Sequence, residues 1–172
     1  MTSPAQRYAQ AQARSQQNRA TKGLDEFSRN YDFPLDEFQL QATAALGEGR
    51  SVLVAAPTGA GKTVVGEYAA FRALAEGKKC FYTTPIKALS NQKYHDLVKR
   101  HGSAEVGLLT GDNSINGDAP VVVMTTEVLR NMLYSGSTTI ADLGYVVMDE
   151  VHYLADRFRG GVWEEVIIQL PQ

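Results

Sequence analysis

The feature that most constrains this chain is a turn of eight residues, Ala56-Pro57-Thr58-Gly59-Ala60-Gly61-Lys62-Thr63, set between two apolar segments of different period. Ser51 to Ala55 reads as a short strand, and Thr63 to Ala75 carries apolar residues at helical spacing. The turn matches the phosphate-loop pattern G-x-x-x-x-G-K-[ST], with alanine in place of the first glycine. Gly59 and Gly61 let the backbone curl so that successive N–H groups converge on phosphate oxygens, and the following helix aims its positive dipole end at the same anion. Lys62 is then placed to reach terminal phosphates, and the Thr63 hydroxyl to ligate magnesium.

The same alternation continues along the chain. Lys79 to Thr84 reads as a strand, Lys87 to Arg100 as a helix, Val106 to Leu109 and Val121 to Met124 as strands, Glu127 to Tyr134 as a helix, and Tyr145 to Met148 as a fully apolar strand. Apolar strands alternating with helices predict an α/β fold with a mostly parallel sheet covered on both faces. In such sheets ligands bind beyond the carboxyl ends of the strands. The turn after Ala55 and the residues after Met148 both lie at that end.

Those residues after Met148 are Asp149-Glu150-Val151-His152. A phosphate loop needs a carboxylate to hold magnesium through its water shell and a second group to orient the attacking water. Asp149 is the candidate magnesium partner and Glu150 the candidate general base. His152 is positioned to couple a nucleotide site to a second site. His95 and His101 lack ligand-like spacing with other metal-binding residues.

At 172 residues and 44% hydrophobic content, one substantial core and a single folded domain are expected. Residues 27–172 carry recurring aromatic and aliphatic residues. Residues 1–26 form a polar basic tail with Arg7, Arg14, Arg19 and Lys22, expected to be solvated. A net charge of -2 and a pI near 5.9 exclude nucleic-acid binding by bulk positive charge, so any such binding must be local. The single cysteine, Cys80, excludes an intrachain disulfide and suits a reducing compartment. No run approaches the roughly 18 apolar residues of a membrane span. A cytoplasmic protein without membrane contact is the expectation.

Taken in order, these segments resemble the DExH-box helicases of superfamily two, and among them the superkiller and exosome-associated class of RNA helicases. The resemblance runs from about Phe33 to Pro171. The Ala-x-Thr-Gly-x-Gly-Lys-Thr form of the loop, Ala56 to Thr63, looks like the version found in that superfamily. Phe33-Pro34-Leu35-Asp36-Glu37-Phe38-Gln39 looks like the adenine-recognition motif, which implies that Phe33 stacks on the base and Gln39 bonds its edge. Thr83-Thr84-Pro85-Ile86-Lys87-Ala88-Leu89-Ser90-Asn91-Gln92-Lys93 resembles the first strand-gripping motif. Thr110-Gly111-Asp112 and Thr125-Thr126-Glu127-Val128-Leu129-Arg130 resemble the next two. By that likeness Pro85, Lys87, Gln92, Thr110, Gly111, Thr125, Thr126 and Arg130 are nucleic-acid contacts. Hydroxyls, cations and helix N-termini suit phosphate and sugar rather than base edges. Thr125 and Thr126 also suit a helix cap. Arg157-Phe158-Arg159-Gly160-Gly161-Val162-Trp163-Glu164-Glu165 resembles the Arg-Gly-x-x-Trp-Glu-Glu signature of the superkiller-type class, which favours RNA.

The resemblance implies a RecA-like three-layer phosphate-loop domain that binds ATP and Mg2+ and acts on RNA together with a second RecA-like domain. On this reading residues 27–172 stop before the last strands, the Ser-Ala-Thr coupling motif and the arginines of the transition-state clamp, and turn over ATP poorly alone. A DNA repair helicase shares the loop and the acidic box and is the alternative among enzymes. A nucleotide-gated nucleic-acid-binding module without turnover is the alternative outside them, opposed by intact Lys62, Asp149 and Glu150. Accessory subunits are not legible in the sequence.

Overall fold

The computed structural model describes residues 3, 6–9, 23–158 and 160–170. Arg14, Arg19 and Lys22 of the tail, and Arg159 and Pro171 of the later segments, lie outside the described residues. The chain divides into two compact units, residues 1–72 and 73–172.

The first unit contains a helical turn over 23–28, helix α1 (Glu37–Gly47) and the start of helix α2 (Thr63–Glu76). Its core is aromatic. Phe27 and Tyr68 are completely buried and meet edge to face with ring centroids 5.1 Å apart. Tyr31 packs edge-on against Phe27 at 5.3 Å, and its hydroxyl donates to Glu67 Oε2 at 2.6 Å. The buried carboxylate of Glu67 is thereby given a donor, as a desolvated charge requires. Leu24, Leu35, Leu46 and Phe71 pack around this cluster.

One expectation fails in this unit. Residues 51–57 carry no regular secondary structure. Burial does alternate with the period of a strand, half-buried Val52 and Val54 between exposed neighbours, and Leu53 is 78% exposed. A strand is completed by ladder bonds to a neighbour, and among the described residues this run has none.

The second unit is built on a five-stranded sheet of β1 (Lys79–Thr84), β2 (Val106–Thr110), β3 (Asn113–Ile115), β4 (Val121–Thr125) and β5 (Leu143–Met148), in the order β3-β2-β4-β1-β5. All pairings are parallel except β2 with β3, which is antiparallel. Parallel strands need long crossovers. Helix α3 (Lys87–His101) supplies the one from β1 to β2, and helix α4 (Thr126–Tyr134) lies in the one from β4 to β5. Helix α5 (Gly160–Gln169) follows and packs on α4.

Alternation along the strands sorts the core. Phe81, Val122 and Met124 join Leu129 of α4 and Val166 of α5 in one cluster. Cys80 is fully buried, and desolvation pushes its thiol up to about 12, which makes it an inert packing group. β1, β2 and β4 are buried nearly throughout, but β5, read as a fully apolar strand, is half-buried along most of its length. It stands at the edge of the described sheet, paired only with β1, so one flank lacks a covering neighbour. Among the described residues no helix is long and apolar enough to cross a membrane.

Leu129 is fully buried in the cluster beside Val166. Leu129→Ala should lower unfolding free energy by about 2–5 kcal/mol. The emission of Trp163, the sole tryptophan, buried to 1% on α5, reports the transition in urea; a loss under about 1 kcal/mol would contradict the packing described.

Candidate functional site

In the first unit the phosphate-loop residues form a turn held open by two glycines. Gly59 and Gly61 have φ of 83° and 78°, in the left-handed region that glycine enters without steric cost. Ala60 N–H donates to Pro57 O at 3.2 Å, and Val64 and Val65 N–H donate to Gly61 O and Lys62 O at 3.1 Å, starting α2. Lys62 Nζ donates to Ala56 O at 2.7 Å and to Pro57 O at 2.9 Å, so its ammonium is folded back over the loop. Thr58 and Thr63 are exposed.

Gln39 fastens this loop to α1. Its side chain is 2% exposed. Oε1 accepts from Asp36 N–H at 2.8 Å, closing a capping box at the start of α1, while Nε2 donates to Gly61 O at 2.9 Å. The amide that the family resemblance assigns to the adenine edge thus also ties α1 to the phosphate loop. Phe33 is 53% exposed, and its ring lies 5.3 Å from that of Tyr31. An exposed aromatic face is what stacking on a base requires.

In the second unit the acidic turn follows β5 directly. Asp149 N–H donates to Thr83 O at 3.0 Å, which extends the β1–β5 ladder by one residue. Asp149 Oδ2 accepts from the Tyr82 hydroxyl at 2.9 Å, and Oδ1 from Glu150 N–H at 2.9 Å. Glu150 sits at φ 55°, ψ 40°, a left-handed conformation that costs a non-glycine residue about 1–2 kcal/mol. His152 is exposed, with Nδ1 3.2 Å from Glu150 Oε2. Tyr82 was not singled out from the sequence. The available signal was a tyrosine inside a buried strand, whose hydroxyl must find a partner.

The segments resembling strand-gripping motifs gather at the carboxyl ends of β1, β2 and β4. Pro85 and Lys87 lie where β1 passes into α3, and Gln92 is exposed one turn on. Lys87 Nζ forms a short ion pair with Asp112 Oδ2, and Thr110 Oγ1 donates to Asp112 Oδ1 at 3.2 Å. These two bonds hold the Asp112 carboxyl below its ordinary pKa. Gly111 is exposed between them in the chain. Thr125 is the N-cap residue of α4 but makes no side-chain cap bond. Thr126 Oγ1 donates to Thr84 O at 3.3 Å instead, joining α4 to the end of β1.

Arg130 is drawn toward carboxylates, Nη1 3.7 Å from Glu165 Oε2 and Nη2 3.9 Å from Glu127 Oε1. Glu165 belongs to the signature after the acidic turn, which places that segment structurally. Gly160 is buried at the start of α5, where a Cβ would collide with the Leu154 carbonyl oxygen. Trp163 packs inward from the next turn.

Thr63 in the first unit offers a hydroxyl oxygen and Asp149 in the second a carboxylate, each of a kind that suits a hard divalent cation. Among the described residues no group of three or more His, Cys, Asp or Glu could cage a metal.

Comparison with known proteins follows the same lines. A family model described as DEAD/DEAH box helicase matches residues 36–172. The chain is 68% identical over 148 residues to the probable helicase HelY of Mycobacterium tuberculosis, covering 86% of this chain and 16% of that protein. It is 53% identical over 144 residues to the ATP-dependent RNA helicase mtr4 of Schizosaccharomyces pombe, covering 84% of this chain and 13% of that protein. The chain therefore spans about a sixth or less of the length of these relatives. Among solved structures it is similar to the Mycobacterium smegmatis helicase Lhr bound to ssDNA and AMP-PNP, with a TM-score of 0.61 and 28% identity, covering 87% of this chain and 23% of that one. This likeness identifies the fold as RecA-like.

The two loop glycines differ in what a side chain would meet. A Cβ on Gly61 would fall 2.7 Å from Gln39 Nε2, whereas one on Gly59 would meet nothing within 4 Å. Gly59→Ala should cost about 1 kcal/mol of stability for its left-handed φ. Gly61→Ala should cost about 1 kcal/mol more, because the Gln39 bridge and capping box are disturbed as well. Thermal unfolding of both variants measures this, and equal losses would contradict the Gln39 bridge.

Proposed function

Because the chain belongs to the DEAD/DEAH box helicase family, we propose that it forms the first ATP-binding domain of an ATP-dependent RNA helicase. The observation that carries this reading is the loop around Lys62, whose ammonium donates to the neutral carbonyls of Ala56 and Pro57. Charged phosphate oxygens are stronger acceptors than carbonyls, so Lys62 is ready to transfer to the terminal phosphates of ATP. The loop residues Pro57, Thr58, Gly59, Ala60 and Gly61 present backbone to the phosphates. Phe33 stacks on the adenine and Gln39 reaches its edge while fixing the loop.

Thr63 and Asp149 are the magnesium partners, one by its hydroxyl and the other through water. Bound magnesium would neutralise charge developing on the phosphates. Glu150 orients the attacking water and takes its proton. His152, beside Glu150, links this site to nucleic acid. Lys87, Thr110, Gly111, Thr125, Thr126, Pro85, Gln92 and Arg130 contact phosphate and sugar, which makes binding largely independent of sequence. The incoming backbone competes with Asp112 for Lys87 and with Glu165 for Arg130. A second RecA-like domain of the same protein completes the machine.

RNA is favoured as substrate by the 53% identity to mtr4, an RNA helicase by its name. The 28% identity to Lhr, whose structure holds single-stranded DNA, supports DNA as the second reading. Unwinding of matched RNA and DNA duplexes by the complete protein separates them, with faster RNA unwinding expected and a DNA preference refuting the RNA assignment. In the same protein Glu150→Gln should lower ATP turnover about 10²- to 10⁴-fold, the usual worth of a general base, with ATP affinity kept. Unchanged turnover would remove Glu150 from that role.

A further inference from the structure

Tyr82, on the apolar strand β1, makes a side-chain hydrogen bond to the acidic turn. It is 1% exposed, and a hydroxyl so buried costs stability unless it is partnered. The β1–β5 register sets Tyr82 opposite Val147, so Asp149, two residues on, is its diagonal neighbour, within reach of a long side chain. Its hydroxyl donates to Asp149 Oδ2 at 2.9 Å, while Glu150 N–H holds Oδ1 at 2.9 Å and Thr83 O holds Asp149 N–H at 3.0 Å. The backbone and both carboxylate oxygens of Asp149 are therefore fixed by chain groups. A carboxylate has about four lone-pair sites. Two are taken here, and the others are left to accept from metal-bound water. Behind the ring, Lys93 of α3 places Nζ 5.3 Å from the Tyr82 centroid, a cation–π distance that braces the ring from the helix side.

We propose that Tyr82 is a positioning residue for magnesium: its hydroxyl sets the orientation in which the Asp149 carboxylate meets the ion's water shell. Nothing in the acidic turn itself could do this, because the turn supplies only a backbone N–H to the opposite oxygen. The proposal rests on Asp149 being the magnesium partner, and its test separates the two. Affinity of the purified protein for a fluorescent non-hydrolysable ATP analogue is measured in Mg2+ and in EDTA, for the wild type, Tyr82→Phe, Asp149→Asn and the double variant.

Tyr82→Phe should weaken binding in Mg2+ about tenfold, the scale of one hydrogen bond to a charged group, and leave binding in EDTA unchanged. Raising Mg2+ should restore it. The double variant should match Asp149→Asn, since Tyr82 acts through that carboxylate. Equal loss in Mg2+ and EDTA, no loss in either, or additive losses in the double variant would each overturn the role given to Tyr82. So would a Tyr82→Phe protein that no longer melts cooperatively, which would make the hydroxyl a requirement of folding. Binding of Asp149→Asn in Mg2+ as tight as that of the wild type would instead remove Asp149 as magnesium partner, and the proposal with it.

Discussion

Parallel pairing of β1 with β4 on one side and β5 on the other is the constraint on which the functional residues of the second unit depend. Parallel strands all point the same way, so the residues that follow them emerge along one edge of the sheet. Thr84, Thr110, Thr125 and Asp149 all stand at that edge as strand ends or the first residue beyond. The pairing then ties them to each other: Asp149 N–H closes on Thr83 O, Thr83 Oγ1 donates to Val147 O at 3.1 Å, and Thr126 Oγ1 donates to Thr84 O. Threonines serve here as polar fasteners inside an apolar sheet. The Thr83 and Thr126 hydroxyls each donate to a backbone carbonyl, of Val147 and Thr84, near the ends of these strands.

What was legible in the sequence is what local chemistry dictates. Gly59 and Gly61 had to permit left-handed backbone, and both do so. The apolar runs at β1, β2, β4 and β5 were bounded within a few residues, since a buried strand leaves little choice of residue. β3 was missed because Asn113–Ile115 is short and exposed throughout and has no apolar pattern to read. Ser51 to Ala55 has the pattern without the ladder, because pairing depends on a neighbour that sequence period cannot supply. The helix Gly160–Gln169 was read only as a signature, since two glycines at its start obscure helical propensity.

The contacts that cross long stretches of sequence were beyond local reading. Tyr82 and Asp149 are 67 residues apart, and only the strand register brings them together. The same holds for Arg130 and Glu165, or Lys87 and Asp112. These pairs also refine what the nearly neutral composition means. Lys87 and Arg130, the cations proposed for nucleic acid, already face carboxylates, so on that proposal phosphate displaces an internal partner at each one. Exposed pairs of this kind are individually weak, which keeps the exchange reversible and makes binding sensitive to salt.

Lys62 is the group proposed to exchange loop carbonyls for phosphate. Calorimetric titration of a non-hydrolysable ATP analogue with Mg2+ into wild-type protein and Lys62→Ala tests this most directly. Saturable binding by the wild type, weakened at least about tenfold in Lys62→Ala, is the predicted result, on the scale of one charge-assisted bond. Equal affinity of the two proteins, or no binding by the wild type, would contradict it.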